Sequence, residues 1–435
     1  MAFFQRPMPI FNRYSFDVEN FSQNRLLVPQ RQALESLQGF FGGQNEGRIG
    51  LVSMPTGSGK TGVISCLPYF LGKLGLQEPP APGASPYGEP LHKFDKPVLV
   101  IAPDLEIADQ LEKRLTVSAD APGENFLRKT EIIPADAVPY ALPVGHKIEE
   151  TRHVCNPEFL QSKDVIIANA QKFLKDEWEE VLPEDIFKLV IVDEAHHHPS
   201  KTWRRIIRKF RNHAMVVFFT ATPYRGDGRS VLEETEGELV FHLTLKDARE
   251  QRIIRRINWT RLSVGETEDD RFTLILEKVK SIQEAKDLNN PLPDGISHMA
   301  IAITKNIAYA EHVADLWNDT WGNHGSAIAY HSDVRPKNLK EKRFVAIKTN
   351  QVKLVVVVAS LLEGFDHPPI SIAAIMTRIV SPVKFVQFIG RAQRVVRGHE
   401  GLEAEEISAD IVFHKFFQQK ENIEAFESER LIPAD

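Results

Sequence analysis

Cysteine is nearly absent from this chain: Cys66 and Cys155 are the whole complement in 435 residues. That excludes a disulfide scaffold and leaves no ligand set for a cysteine-built zinc site. Sparse cysteine also suits a reducing, intracellular compartment. Long apolar runs are missing too. None approaches the ~20 residues needed to cross a bilayer, and residues 1–14 lack the extended apolar core of a signal peptide. The expectation is a soluble intracellular protein, in cytoplasm or nucleus, with no membrane partner. Positive charge is not in excess either: 53 Lys and Arg face 59 Asp and Glu, for a net charge of −6. Any nucleic-acid binding must therefore use local basic patches.

What remains is a globular composition. Hydrophobic residues make up 42% and charged residues 26%, which permits large cores and argues against global disorder. At ~150 residues per domain, the length suggests two to three domains.

Short, almost wholly apolar runs recur, each followed by turn residues and a helix-like stretch. They fall at 50–54, 97–102, 164–168, 189–192 and 215–219. Runs of this kind read as strands buried on both faces, as in a parallel sheet covered by helices. The pattern restarts at 299–303, 327–330, 353–358, 372–376 and 409–413, with a helix expected over 385–396. The fold class is α/β, with ligands expected at the carboxyl ends of the strands. Residues 241–295 are more polar and close on a cluster of breakers, Asn289-Asn290-Pro291-Leu292-Pro293-Asp294-Gly295. The expected division is an N-terminal extension at 1–20, a first domain at 21–240, a connecting segment at 241–295 and a second domain at 296–435. Residues 77–90, rich in Pro, Gly and Ala, read as a loop insertion in the first domain.

The chemistry begins at Met54-Pro55-Thr56-Gly57-Ser58-Gly59-Lys60-Thr61, between a strand and a helix. Glycines let main-chain N–H groups close around phosphate oxygens, and the helix N-terminus adds positive potential. Thr56, Gly57, Ser58 and Gly59 would form the cradle. Lys60 should reach the β- and γ-phosphates, and the Thr61 hydroxyl should ligate Mg²⁺. The strict phosphate-loop pattern wants Gly where Met54 stands.

A second element is Asp193-Glu194-Ala195-His196, at the end of the 189–192 strand. Asp193 can reach the Mg²⁺ that Thr61 holds. Glu194 is then placed to orient or deprotonate the attacking water. Three histidines run together at 196–198. Consecutive residues rarely converge on one ion, so His196 reads as a polar coupling residue rather than a metal ligand. In the second half, Gln387, Arg391 and Arg394 are spaced at four and three, so on a helix they share one face. Arg391 and Arg394 suggest arginine fingers, groups that stabilise the transferred phosphoryl and can be worth roughly 10³–10⁵ in rate.

Taken together, these motifs resemble those of the superfamily 2 helicases and translocases, the DEAD/DEAH-type motors. The wording of 55–61 and 193–197 is most similar to the type III restriction motor subunits. The resemblance runs from about Leu26 to Arg397 and implies two tandem RecA-like domains with ATP in the cleft between them. It makes Thr220 and Thr222 coupling residues beside His196 and Gln387. It assigns Gly364 and Asp366 of Glu363-Gly364-Phe365-Asp366 to the nucleotide site. It makes Gln30 a reader of adenine, and it points to Pro103, Asp104, Asn169 and Thr304 for nucleic-acid contact. Such contacts are mostly to phosphates, so binding should depend on salt and little on sequence. Two basic stretches, one around Lys201, Arg204, Arg205, Arg208, Lys209 and Arg211 and one at Arg252, Arg255 and Arg256, could touch a backbone or be solvated surface.

The implied activity is ATP- and Mg²⁺-dependent helicase or translocase action on nucleic acid, DNA more than RNA. The setting would be restriction, repair or defence, with a nuclease or assembly partner. The alternatives are a double-strand translocase or ATP-controlled clamp without strand separation, and a non-catalytic nucleotide-binding scaffold.

Overall fold

The structure is a computed structural model, and it describes residues 25–42, 47–72, 96–116, 125–130, 132, 145–174, 177–197, 201–222, 231–233, 236–321, 325–331, 333–358, 367–396 and 407–429. Two compact units divide the chain, with the main changeover between His242 and Leu243 and the short segment Pro55–Ser58 grouped with the second unit.

The first unit contains helix α1 (Val28–Phe41), β1 (Ile49–Ser53), α2 (Lys60–Gly72), β2 (Val98–Ala102), α3 (Leu105–Leu115), β3 (Gly145–Lys147), β4 (Val165–Asn169), β5 (Leu189–Val192), α4 (Lys201–Phe210), β6 (Met215–Thr220) and β7 (Glu238–His242). Its seven strands run β3-β4-β2-β5-β6-β1-β7, all parallel. Strands β1, β2, β4, β5 and β6 are buried at every residue, as expected of strands covered on both faces. One face carries Leu51, Leu99, Ile101, Ile166, Val190, Val216 and Phe218, packed with Trp178, Trp203 and Phe210. Each such side chain contributes about 1.5–3 kcal/mol by leaving water.

The second unit contains β8 (Arg256–Leu262), α5 (Glu268–Asn289), β9 (Met299–Thr304), α6 (Ile307–Trp321), β10 (Ala327–Tyr330), α7 (Lys337–Lys348), β11 (Leu354–Val358), β12 (Ile370–Ile375), α8 (Pro382–Ala392), β13 (Ser408–His414) and α9 (Lys420–Glu427). Its six strands run β10-β11-β9-β12-β13-β8, again all parallel. Strand periodicity sorts the core here. Met299, Ile301 and Ile303 join Phe385, Phe388 and Ile389 of α8 on one face. Ala300 and Ala302 meet Ile275 and Val279 of α5 and Val313 and Trp317 of α6 on the other.

Residues 241–295, read from sequence as a connector, carry β8 and the 22-residue helix α5, and both are built into the second unit. The reason they read as polar is physical. Strand β8 is an edge strand whose residues are half-buried or exposed, so it lacks the continuous apolar run of a central strand. Helix α5 begins with Glu268, Asp269 and Asp270 in its first turn, capped by the Thr267 hydroxyl. The insertion at 77–90 and the extension at 1–20 lie outside the described residues.

Candidate active site

Three carboxyl-terminal strand ends build the site in the first unit. Strand β6 lies between β1 and β5, so the phosphate loop and the acidic motif are not on adjacent strands. The Met54 N–H donates to Thr220 O at 3.0 Å, which fixes the loop after β1 against the end of β6. The Asp193 N–H donates to Ile101 O at 3.0 Å, which extends β5 along β2.

The loop has the shape its glycines allow. Gly57 and Gly59 stand at φ +85° and +94°, the left-handed region in which a Cβ is strained. The Ser58 hydroxyl donates to Pro55 O at 2.7 Å and is fully buried. Helix α2 then starts at Lys60, which directs an N-terminus and its positive potential at the loop. Lys60 Nζ donates to Met54 O at 3.2 Å and lies 3.9 Å from Glu194 Oε1. The lysine is thus held across the mouth of the loop, with Thr61 half-buried beside it.

Gln30 has a position that sequence alone did not supply. Its Oε1 accepts from the Leu27 N–H at 2.8 Å and its Nε2 donates to Gly59 O at 2.9 Å. The side chain therefore ties the start of α1 to the phosphate loop. A Cβ on Gly62 would come within 2.3 Å of Gln30 Nε2 and 2.6 Å of Phe126 Cζ. Gly62 is thus a site residue missed from sequence; its signal was a glycine in the first turn of a helix, which propensity alone disfavours.

The acidic motif is strained and electrostatically loaded. Glu194 has φ +48°, a conformation costing a non-glycine residue about 1–3 kcal/mol. Asp193 Oδ1 accepts the Glu194 N–H at 2.9 Å. Burial pushes the Asp193 carboxyl up to about 7; the neighbouring Glu194 charge adds to this, while Lys60 opposes it. Glu194 Oε2 lies 3.3 Å from His196 Nδ1 yet is buried without a hydrogen bond. His196 Nδ1 is also 3.3 Å from Thr220 Oγ1. Thr220 Oγ1 in turn donates to Thr222 O at 2.7 Å and accepts the Thr222 N–H at 3.1 Å. The expected coupling residues of the first unit are therefore one connected set. Among the described residues, no group of three or more His, Cys, Asp or Glu is placed to hold a metal ion. His198 lies outside the described residues.

Among the residues expected to contact nucleic acid, Asn169 and Pro103 are together: Asn169 Nδ2 donates to Pro103 O at 2.9 Å, and its Oδ1 caps Gln171 N–H at 2.7 Å. Asp104 caps α3 through the Ile107 N–H at 2.7 Å. Thr304, in the second unit, is fully buried at the end of β9, with its hydroxyl donating to Asn306 O at 3.2 Å. Lys305 and Asn306 are the exposed positions there. The basic helix α4 is partly engaged by acidic neighbours: Arg205 Nε pairs with Glu179 at 2.6 Å and Lys209 Nζ donates to Glu179 O at 2.9 Å.

In the second unit, the arginine motif departs from its expected form. Helix α8 ends at Ala392, with Gln393 as its cap. Gln387 and Arg391 are on the helix, but Arg394 is not. It pairs with Ile254 in an isolated antiparallel bridge. The helix stops because its C-terminal main chain is taken up by the 254–255 segment: the Arg255 N–H donates to Gln393 O at 2.7 Å. Arg255 is itself 1% exposed, so it is not part of a solvated basic surface. Gly364 and Asp366 lie outside the described residues.

A parallel sheet with a glycine-rich loop after β1 and an acidic pair after β5, followed by a second parallel sheet with an arginine-bearing helix, is a tandem RecA-like fold. Residues 24–225 match the family model of the type III restriction enzyme res subunit. The chain is 22% identical over 227 residues to the candidate helicase 22 of the Sulfolobus islandicus filamentous virus (isolate Iceland/Hveragerdi), covering 48% of this chain and 40% of that protein. Its fold is similar to the helicase Lhr of Mycobacterium smegmatis, solved with single-stranded DNA and AMP-PNP (TM-score 0.61, 16% identity, 96% of this chain and 50% of that one). It is also similar to Dbp5 of S. cerevisiae, solved with RNA and ADP BeF3 (TM-score 0.55, 12% identity, 96% and 94%). By these matches the chain is similar to the superfamily 2 helicases. It spans about two fifths of the length of the viral protein it matches.

Proposed function

We propose that this chain hydrolyses ATP to drive movement on nucleic acid, as a helicase or translocase. The observation that carries the proposal is the convergence of Lys60, Asp193 and Glu194 at the carboxyl ends of one sheet, linked through His196 to Thr220. The residues fit a magnesium-bound nucleotide. Asp193 is a buried carboxyl group that keeps its proton because Lys60 and the Glu194 N–H offset its burial and the Glu194 charge only in part, and a divalent cation would remove that penalty. The Thr61 hydroxyl and Asp193 would hold the ion, which neutralises phosphate charge when bound. Gly57, Ser58, Gly59 and Lys60 bind the phosphates, and Thr56 lines the loop. Glu194 Oε2, lacking a hydrogen bond, is available to accept a proton from water.

In this reading, Arg391 and Arg394 stabilise the γ-phosphoryl during transfer, with Gly364 and Asp366 beside the nucleotide. Gln387, His196, Thr220 and Thr222 relay its state. The strand tracks over Pro103, Asp104, Asn169 and the loop that begins at Thr304. The division at 21–240, 241–295 and 296–435 is refined in the same reading, with the motor's second unit beginning near Leu243. DNA is favoured over RNA as substrate, because the matching family model is that of a restriction subunit. A nuclease or assembly partner and a role in restriction, repair or defence belong to the same proposal.

The test is an ATPase assay on the purified chain with no nucleic acid and with single- or double-stranded DNA or RNA. Stimulation by DNA is expected. An equal rate under every condition would refute the motor. Strand displacement run beside triplex displacement then decides between unwinding and double-strand translocation.

A further inference from the structure

Arg255 lies in none of the motifs, yet it is among the largest fully buried side chains. Its guanidinium donates to three main-chain carbonyls: from one nitrogen to Ile370 O at 2.6 Å and Ala392 O at 3.0 Å, and from the other to Pro368 O at 3.2 Å. Its own main chain is engaged as well. The Arg255 N–H donates to Gln393 O at 2.7 Å, and Arg255 O accepts from Gln393 Nε2 at 3.3 Å. Ile254, one residue before, bridges Arg394.

These contacts join two segments that are distant in sequence. Ala392 closes α8, directly after Arg391, where helix carbonyls have no intrahelical partner and the dipole is negative. Pro368 and Ile370 lead into β12, shortly after the Glu363–Asp366 motif. A cation supplies what both ends need, and the planar guanidinium fixes the spacing between them more tightly than a point charge could. Burying an ion is costly. An apolar residue would avoid that cost but could not bond three carbonyls. Asp410, whose field favours the charged arginine, is itself paired with Lys286 at 2.9 Å.

We propose that Arg255 is the positioning residue of the arginine motif: by tying the C-terminal end of α8 to the start of β12, it sets where Arg391 and Arg394 stand. The inference rests on the reading of those two arginines as γ-phosphate ligands. It assigns Arg255 no contact with nucleotide or nucleic acid.

The test compares wild type, Arg255→Met, Arg255→Lys and Arg391→Ala in the full chain, by DNA-stimulated ATPase kinetics and thermal unfolding. Arg255→Met is expected to lower kcat on the order of 10²-fold, the cost of a slightly misplaced catalytic group, with KM for ATP little changed. A buried lysine gives up its proton readily, so Arg255→Lys should retain much of the rate near pH 6.5 and lose it towards about pH 9, relative to wild type. An Arg255→Met kcat close to wild type overturns the inference. If Arg255→Met does not fold, the Arg255→Lys profile decides, and a profile parallel to wild type overturns it. Should Arg391→Ala keep full kcat, the arginine assignment fails and takes the tie with it. A wild type without ATPase activity refutes the motor reading itself, and the inference with it.

Discussion

His196 Nδ1 and Thr220 Oγ1 are hydrogen-bonded at 3.3 Å, with the ring nitrogen as the donor. The direction follows from the hydroxyl, whose own hydrogen is directed to Thr222 O at 2.7 Å, leaving only its lone pairs for the ring. The imidazole therefore faces both the Glu194 carboxylate and the end of β6 through one nitrogen. In the proposed function, a change at Glu194 during hydrolysis would have a direct route to Thr220 and Thr222.

That route predicts a loss of coupling. Thr220→Val and His196→Ala should each lower the stimulation of ATPase by nucleic acid more than the unstimulated rate. A double-mutant cycle on the stimulated rate should show an interaction of about 0.5–3 kcal/mol, since the two side chains touch. Additive effects would mean that the contact relays nothing.

Glu194→Gln should separate binding from hydrolysis. Removing a general base costs about 10²–10⁴-fold in rate. The amide keeps the shape of the side chain, so nucleotide binding should persist, measured by titration with a fluorescent ATP analogue. Lys60→Ala should lose both, because the cation proposed to bind the phosphates is gone.

Asp193 makes a prediction in pH. Its folded-state value, raised to about 7, stands above the unfolded carboxylate value near 3.8. Between these values the folded chain holds a proton that the unfolded chain has lost. Its contribution to stability is therefore fully present below about pH 4 and falls as pH rises towards 7. Asp193→Asn should leave thermal stability unchanged near pH 4 and raise it near pH 8, in the absence of metal. Below pH 7, binding of Mg²⁺ with nucleotide should release about one proton, seen by calorimetry in buffers of different ionisation enthalpy. No proton release would contradict the assignment of Asp193 as a metal ligand.

Gln30 and Gly62 predict a steric pair. Gly62→Ala places a methyl 2.3 Å from Gln30 Nε2, so the tie between α1 and the phosphate loop must give way. ATP affinity should fall in Gly62→Ala and, less severely, in Gln30→Ala. The latter should cost about 1 kcal/mol of stability for the lost hydrogen bonds. An ATP and GTP binding comparison reports whether Gln30 also selects the base.

The sequence by itself determined the class of fold and the phosphate and acidic motifs. Buried parallel strands need continuous apolar runs, and phosphate cradling needs glycines between a strand and a helix; both requirements act on residues adjacent in the chain. Strand β8 escaped such a reading because an edge strand is wet on one side. Helix α5 escaped because its charged first turn resembles a linker. Contacts across long sequence separations were decided only by the tertiary structure. It placed β6 between the strands that carry the glycine-rich loop and the acidic pair, turned Gln30 onto Gly59, and ended α8 before Arg394. It also buried Arg255, which in sequence is one basic residue among several. A guanidinium's worth depends on which carbonyls fold around it, and those lie more than a hundred residues away in the chain.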